Sequence, residues 1–429
     1  MSYKLLSFIG PTKYIEAYYA YNNKKSKQAY QFIQEALLEF FCRDWEEHDQ
    51  VVIFLTEESK RKNWLSKNEC EDANFEKGLK ERLEETKKRL KLNIGIRDVE
   101  IPEGRNEEEL WEIFERINNN ISEEDILIFD ITHSFRSLPM LTLVALNYVK
   151  FLKNVDIHQI VYGAMEALGS PNEIRKMPLQ KRVIPLFNLT PFASLFDWTV
   201  AIERFLQTGN AEMISKLGTE KLKPLLSETK GEVGGGIREL INSLNSFSQN
   251  VSTCRAPDFK SNIERIISSL PSAEKELEKL KPFGPLFRKI NDTFSNMKID
   301  DEISCGLKVA SWCLEKGLIQ QGFTILRETI VNYVVMKVLG SNKLKKPEKI
   351  GDTDYREIAE VMLNSRYDKI PEDILNLWRE IIDYRNDINH SGWREKNYHK
   401  PVHFENKLKK FINQFESILQ REYHESKTN

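Results

Sequence analysis

Short apolar runs alternate with helical patterns over the first 190 residues of the chain. Six segments have the length and apolar character of strands: Lys4–Ile9, Val51–Leu55, Ile94–Ile101, Ile126–Phe129, Ile157–Tyr162 and Arg182–Leu189. Between several of them, apolar residues recur three and four positions apart, as they do on one face of a helix. Strands that alternate with helices in this way predict a doubly wound, mostly parallel sheet.

An aromatic segment between Tyr14 and Tyr30 interrupts this alternation. Residues 14–21 roughly alternate in polarity, Asn22-Asn23 is typical of a turn, and Lys27–Tyr30 is expected to return as a strand. The sequence therefore predicts a hairpin insertion where a plain α/β fold has its first helix.

From Pro191 onward the patterning is helical, and no strand candidate follows Leu189. Helices are expected at 192–206, 214–226, 237–251, 260–280, 303–318, 323–339, 355–363, 374–389 and 402–423. The last helices predict a bundle of about five. The glycine-rich stretch 231–236 lacks the preceding strand and the following Gly-Lys-Ser/Thr of a phosphate loop, so we interpret it as a joint between helices.

A polar loop follows the buried strand Ile126–Phe129. Residues 130–139 read DITHSFRSLP, and the helical pattern that begins at Leu138 has Ser137 in a suitable position for an N-cap. Strand, polar loop and helix N-terminus form anion sites at the carboxyl ends of open α/β sheets. The sequence thus predicts a ligand loop whose candidate residues are Thr132, His133, Ser134, Phe135 and Arg136.

An alternative interpretation and a missing motif both bear on the function of this loop. In the alternative interpretation, Thr132 and Ser134 only satisfy the turn backbone, and Arg136 caps a neighbouring strand. The Gly-x-Gly-x-x-Gly fingerprint of dinucleotide enzymes does not follow the first strand, which counts against a nicotinamide-dependent enzyme.

Composition narrows the class of protein. The 429 residues are 40% hydrophobic and 30% charged, as in ordinary globular proteins, and the net charge of −2 gives no overall attraction for nucleic acid. The five cysteines are scattered without a Cys-x-x-Cys pair, so we expect a reducing, cytoplasmic location and no zinc site. The apolar N-terminal run is too short for a secretory leader and is expected to form the first strand.

The end of the predicted helix 374–389 carries Arg385, Asn386 and His390. An Arg and a His suit RNA cleavage without a metal, because the 2′-hydroxyl of RNA is the nucleophile. The His can transfer the proton, the Arg can brace the charge on the phosphate, and the Asn can orient either group. On an ideal helix the Arg and His lie ~140° apart, so both would border a cleft without sharing a face.

The same spacing of Arg and His occurs twice elsewhere, at Arg43/His48 and at Arg394/His399. We expect the first pair to serve capping and solvation at a helix end, and the second to lie in a charged loop. An alternative for the C-terminal helix itself pairs Arg385 with Asp383 or Glu380 and leaves His390 as a helix cap.

The two halves together resemble the CARF–HEPN ancillary ribonucleases of type III CRISPR systems. The resemblance rests on residues 130–139 and on the Arg385-Asn386…His390 motif. It implies a Rossmann-like CARF (CRISPR-associated Rossmann fold) domain at 1–190, a helical connector at 191–300 and an all-α HEPN domain at 301–429. The family's ligand loops correspond to Gly10, Pro11 and Thr12 after the first strand and to 132–136 after the fourth, and Glu328 is the candidate supporting acid.

The resemblance also implies a function. Cyclic oligoadenylate, taken as the tetra-adenylate, would bind the CARF loops of a homodimer or higher oligomer and switch on cleavage of single-stranded RNA, without a cofactor, a metal or a membrane. Two alternatives stay open at this point: a catalytically silent sensor or interaction module, and a CARF domain that also degrades its ring ligand.

Overall fold

The computed structural model describes residues 1–66, 77–133, 138–228, 234–278, 284–295, 297, 299–345, 347, 352–393, 395 and 398–428. By their internal contacts they form two compact units, Met1–Ser194 and Leu195–Asn429. The first unit is a Rossmann-like α/β domain and the second is helical, which confirms the predicted fold class. Among the described helices, none is both long enough and apolar enough to cross a bilayer.

The first unit is built on an eight-stranded, mostly parallel sheet. Its strands are β1 Tyr3–Ile9, β2 Tyr18–Tyr21, β3 Lys24–Lys25, β4 Gln50–Leu55, β5 Gly95–Glu100, β6 Ile126–Asp130, β7 Asp156–Gly163 and β8 Val183–Asn188. Their order across the sheet is β3-β2-β8-β7-β6-β1-β4-β5. The five strands from β7 to β5 are parallel, and β8 runs antiparallel to β7. All six predicted strands are confirmed.

Both faces of the central strands are buried. In β1, Leu5 and Ile9 enter the core on one side of the sheet, whereas Leu6 and Phe8 enter the core on the other. The helices of this unit are α1 Ile33–Phe41, α2 Glu57–Ser59, α3 Leu79–Leu90, α4 Glu107–Asn119, α5 Leu138–Lys153 and α6 Pro171–Lys176. Residues of α1 and α3 line the first core, and residues of α4 and α5 line the second. Burial on two faces explains why these strands are continuous apolar runs.

The predicted hairpin exists, but its returning strand is shorter and earlier than expected. Asn22 and Asn23 both have positive φ, and β3 pairs immediately after them, with Ala20 opposite Lys25. A two-residue turn of this kind places the paired residues directly beside the turn. The predicted strand at Lys27–Tyr30 is therefore wrong, apart from an isolated bridge between Tyr30 and Ala17. Through β2, which runs parallel to β8, the hairpin extends the sheet.

The second unit consists of helices around one hydrophobic core. They are α7 Thr190–Thr208 (which begins in the first unit), α8 Glu212–Glu228, α9 Gly235–Ser252, α10 Phe259–Glu278, α11 Gly284–Ser295, α12 Glu302–Glu315, α13 Ile319–Tyr333, α14 Tyr355–Asn364, α15 Glu372–Asn389 and α16 Val402–Thr428. Its buried apolar side chains, from Trp198 to Ile418, form a single cluster. The expected subdivision of this unit at residue 300 stays a prediction.

Two helical assignments differ from the sequence pattern. Helix α11 was not expected, because Pro285 indicates a break; the proline lies in the first helical turn, where it is tolerated. The predicted helix 323–339 begins earlier and changes to a π-helical turn at Val334–Val338. Half of the glycine-rich stretch, residues 231–233, lies outside the described residues.

Candidate functional site

The two predicted ligand loops of the first unit meet at one edge of the sheet. Strands β1 and β6 are parallel neighbours, so the loops that follow them leave the sheet side by side. A Cβ atom on Gly10 would lie 3.9 Å from the carbonyl oxygen of His133. Of the predicted residues, the structure thus brings Gly10 and His133 together, while Ser134, Phe135 and Arg136 lie outside the described residues.

The loop after β1 is held by side chains from two other segments. Asn63 donates from Nδ2 to the carbonyl oxygens of Gly10 and Thr12, at 2.7 and 2.9 Å. The Tyr14 hydroxyl accepts from the Gly10 amide at 2.8 Å. Because these bonds fix the backbone, the loop that contains Pro11 is preorganised. Asn63 was not identified from the sequence as part of the site. No local motif marks a residue whose hydrogen-bond partners lie more than 50 positions away.

A buried carboxylate organises the loop after β6. Asp130 is fully buried, and its Oδ2 accepts from the Ser7 hydroxyl at 2.6 Å. Its Oδ1 accepts from the Thr132 amide and hydroxyl at 3.0 and 2.5 Å. Thr132 Oγ1 in turn accepts from the Gly163 amide at 2.8 Å. The Thr132 side chain therefore holds the turn. This agrees with the alternative interpretation, in which Thr132 satisfies the turn backbone.

His133 packs against Tyr14 at the meeting point of the loops. Its ring stands edge-on to the Tyr14 ring, with centroids 4.5 Å apart. Burial lowers the pKa of His133 to about 4, because the protonated ring would lose its hydration. The imidazole is therefore neutral near pH 7 and presents one donor and one acceptor nitrogen.

The lowered pKa of His133 predicts that the stability of the protein depends on pH. As pH falls from 6.5 towards 4, His133 becomes protonated in the unfolded chain but stays neutral in the native chain. The free energy of unfolding therefore falls. We expect urea denaturation to show this loss in the wild type, and a smaller loss in His133→Asn.

The comparison has to be made between the two proteins at each pH. Burial raises the pKa of Glu35 to about 7, and its titration changes stability in the opposite sense over the same range. Parallel stability curves for the wild type and His133→Asn would contradict the assignment to His133.

In the second unit, the predicted catalytic residues lie at the end of α15. Arg385 and Asn386 are half-buried in its last turn, and His390 is the exposed C-cap residue. The His390 amide donates to the Asn386 carbonyl at 2.9 Å. With its amide oxygen turned towards Arg385, Asn389 accepts from Arg385 Nε at 3.0 Å. The helix therefore holds Arg385 and His390 in fixed positions relative to each other.

A cleft in this unit is lined by Glu328, the candidate supporting acid. Burial and the charge of Glu328 raise the pKa of the Cys254 thiol, whereas the charges of Arg255 and Arg385 oppose the rise. Cys254 and Glu328 line a cleft of about 1010 Å³. The Glu328 carboxylate is paired with Arg327 and Arg356. Glu328 thus lines this cleft, and catalytic roles for Arg385, Asn386 and His390 stay predictions.

The acidic residues proposed as alternative partners of Arg385 have other contacts. Asp383 Oδ2 lies 2.8 Å from His399 Nε2, and Glu380 pairs with Lys407. His399 thus lies in a loop, as expected, but its side chain is bound to α15. Its sequence partner Arg394 lies outside the described residues.

The N-terminal Arg/His pair has a structural role, as expected. Arg43 Nε donates to the Glu39 carbonyl in the last turn of α1, at 2.8 Å, and His48 is exposed beside Asp49. In the described part of the chain, no cluster of three or more His, Cys, Asp or Glu side chains is arranged to hold a metal ion.

Comparison with known families adds an assignment for the first unit. Residues 4–166 match the family model described as "CRISPR system endoribonuclease Csx1, CARF domain". This match spans most of the first unit. The match includes β1, β6 and the loops that follow them, so the two predicted ligand loops lie within the matched region. Residues 194–301 match a second model, "CRISPR-associated protein MJ1674, second domain".

Two individual proteins are similar to the chain. The CRISPR-associated protein MJ1674 of Methanocaldococcus jannaschii is 24% identical over 230 residues, or 53% of this chain; the chain spans about a third (32%) of that relative's length. The structure of Enterococcus italicus Csm6 bound to cyclic hexa-2′-fluoro-hexa-dAMP aligns over 100% of this chain and 98% of that chain, with 13% identity. Its TM-score of 0.41 is too low for this likeness to support an inference.

Proposed function

We propose that this protein is an endoribonuclease that cyclic oligoadenylate activates and that cuts single-stranded RNA in CRISPR defence, without a metal. The observation that carries the proposal is the CARF match over residues 4–166, together with the meeting of its two loops beside β1 and β6. The activator would bind between these loops, and Arg385, Asn386 and His390 would perform the cleavage.

The loops offer suitable chemistry for a cyclic oligoadenylate. Backbone amides near Gly10 and the start of α5 suit phosphates. The neutral His133 ring has a donor and an acceptor that suit a base edge or a 2′-hydroxyl. Tyr14 and Asn63 hold the loop backbone for this contact, so less conformational freedom has to be lost on binding.

The end of α15 offers suitable chemistry for RNA cleavage. The 2′-hydroxyl attacks the adjacent phosphorus, the bond to the 5′-oxygen breaks, and a 2′,3′-cyclic phosphate and a 5′-hydroxyl remain. His390 is exposed and able to transfer a proton, and the Arg385 fork can brace the phosphate oxygens. These two side chains leave α15 in different directions, which favours a composite site made from two chains.

An exposed apolar surface supports a homodimer. On α5, Phe151 is 88% exposed, and it is accompanied by the exposed side chains of Leu143, Val144, Tyr148 and Leu152. Monomeric proteins rarely leave so many large apolar side chains together in water. We propose that this face of α5 meets the same face of a second CARF domain, which places two pairs of ligand loops around one symmetric ring.

The proposal predicts cleavage without divalent metal. Purified protein with cyclic tetra-adenylate and EDTA should cut a single-stranded RNA, and the products should carry 2′,3′-cyclic phosphate ends, as chromatography and mass spectrometry of the fragments can show. Activator binding without RNA cleavage, with rings of any size, would support the silent-sensor alternative. Cleavage that requires a divalent metal would contradict the mechanism.

A further inference from the structure

The described residues between α15 and α16 (390–393, 395 and 398–400) include two exposed aromatic rings. We call this segment the aromatic loop. Trp393 is 91% exposed and Tyr398 is 60% exposed. Tryptophan is usually largely buried, because its ring is the largest apolar side chain. Neither ring contributes to the core of this unit.

The near end of the aromatic loop leaves the helix in a tight turn. Ser391 and Gly392 both have positive φ, and the Gly392 amide donates to the Asp387 carbonyl at 3.0 Å. The Trp393 amide donates to the His390 carbonyl at 2.9 Å, so Trp393 is tied to the backbone of the candidate catalytic residue. A Cβ on Gly392 would lie 3.2 Å from the Tyr398 ring, so this ring packs over the turn.

The far end of the aromatic loop is anchored to α15 by His399. Its ring stacks on Tyr384, with centroids 3.8 Å apart and planes 7° apart. Its Nε2 bonds Asp383 Oδ2 at 2.8 Å, and its amide donates to Asp387 Oδ2 at 2.9 Å. Asp383 and His390 are seven residues apart, which puts them on the same side of an ideal helix, roughly 10 Å apart. The loop thus returns to the side of α15 that bears His390.

We propose that Trp393 and Tyr398 form a stacking surface for unpaired RNA bases next to the phosphate that is cut. This inference rests on the proposed ribonuclease function. Unpaired bases stack on aromatic rings whatever their sequence, and a surface held at both ends loses little conformational freedom on binding. His399 acts as a positioning residue, because it holds the loop and does not itself meet the RNA.

Charge favours RNA over a second copy of the chain as the occupant. Residues 393–400 read WREKNYHK, with three Lys or Arg residues against one Glu, so the segment interleaves aromatic with basic residues. Such a segment attracts a phosphate backbone, whereas two copies brought face to face across a two-fold axis would repel each other.

The test measures RNA binding and cleavage separately. We expect Trp393→Ala to raise KM for single-stranded RNA about tenfold with kcat changed less than threefold, and Trp393→Phe to retain most of the affinity. Tyr367→Ala removes another exposed aromatic ring of the same unit and should leave KM unchanged. His399→Ala should raise KM by freeing the loop, and His399→Gln, which keeps a donor for Asp383, should restore part of the loss.

A fluorescence measurement does not depend on cleavage. In the His390→Ala background, a single-stranded oligonucleotide should quench tryptophan fluorescence, and the change should be lost when Trp393→Phe is added. If quenching occurs in this background but the wild-type protein does not cut RNA, the stacking surface is supported and the ribonuclease function is refuted. Unchanged KM in Trp393→Ala, or unchanged quenching after Trp393→Phe is added to His390→Ala, would refute the stacking surface, as would a loss of dimer in Trp393→Ala at unchanged KM.

Discussion

Replacement of His390 by alanine is expected to reduce activator-dependent RNA cleavage at least 100-fold. The reason is that proton transfer by a positioned side chain contributes about 10²- to 10⁴-fold to such reactions. His390 is exposed at the end of α15, so its removal leaves the core of the unit intact. Single-turnover cleavage of a labelled RNA at saturating activator measures the effect.

His48→Ala is the matched control for this variant. His48 follows Arg43 at the same spacing, is exposed, and lies in the other unit. The His48→Ala variant should cut RNA at the wild-type rate. Activator binding by His390→Ala, measured by calorimetry, should equal that of the wild type. If His390→Ala cuts RNA within threefold of the wild-type rate, the assignment of the catalytic histidine is wrong.

Removal of the buried carboxylate under the ligand loop should have the largest effect on the first unit. Asp130→Ala leaves the Ser7 hydroxyl and the amide and hydroxyl of Thr132 without their acceptor. Each buried polar group left unpaired costs about 1–3 kcal/mol, so we expect the free energy of unfolding to fall by roughly 3–5 kcal/mol. Activator affinity should also fall, because the turn that carries His133 loses its support.

Asp130→Asn provides the contrast. The amide has nearly the same shape, its oxygen can still accept from Thr132, and its nitrogen can donate to Ser7. It should retain more than half of the stability that Asp130→Ala loses, in urea denaturation at pH 7. Equal stability of the alanine variant and the wild type would show that this network does not hold the turn.

The strands were predictable from local pattern, and the same kind of pattern marks the loop after β6 as a candidate ligand loop. Strands such as β1 and β6 are buried on both faces, and this produces apolar runs that stand out in the sequence. The loop after β6 is recognisable because a strand end, hydroxyl groups and a helix start follow one another within ten residues. Local pattern also indicated the α15 motif, because a strong helical stripe ends directly after it.

Contacts between distant residues were not predictable in the same way. Asn63 reaches Gly10 across 53 positions, and His399 reaches Asp383 by way of a loop whose charges resemble those of a solvated segment. Spacing along the chain carries no information about such pairs. Helix α11 was missed for a local reason, because Pro285 indicates a break although the first turn of a helix accepts it.

The central claim is that a ligand in the CARF domain controls RNA cleavage at Arg385 and His390. Its most direct test is a titration of cyclic tetra-adenylate, followed at once by activator binding and by the initial rate of RNA cleavage in EDTA. The account predicts negligible cleavage without the activator and a rate that rises in parallel with occupancy of the CARF site. The same rate of cleavage with and without bound activator would contradict it.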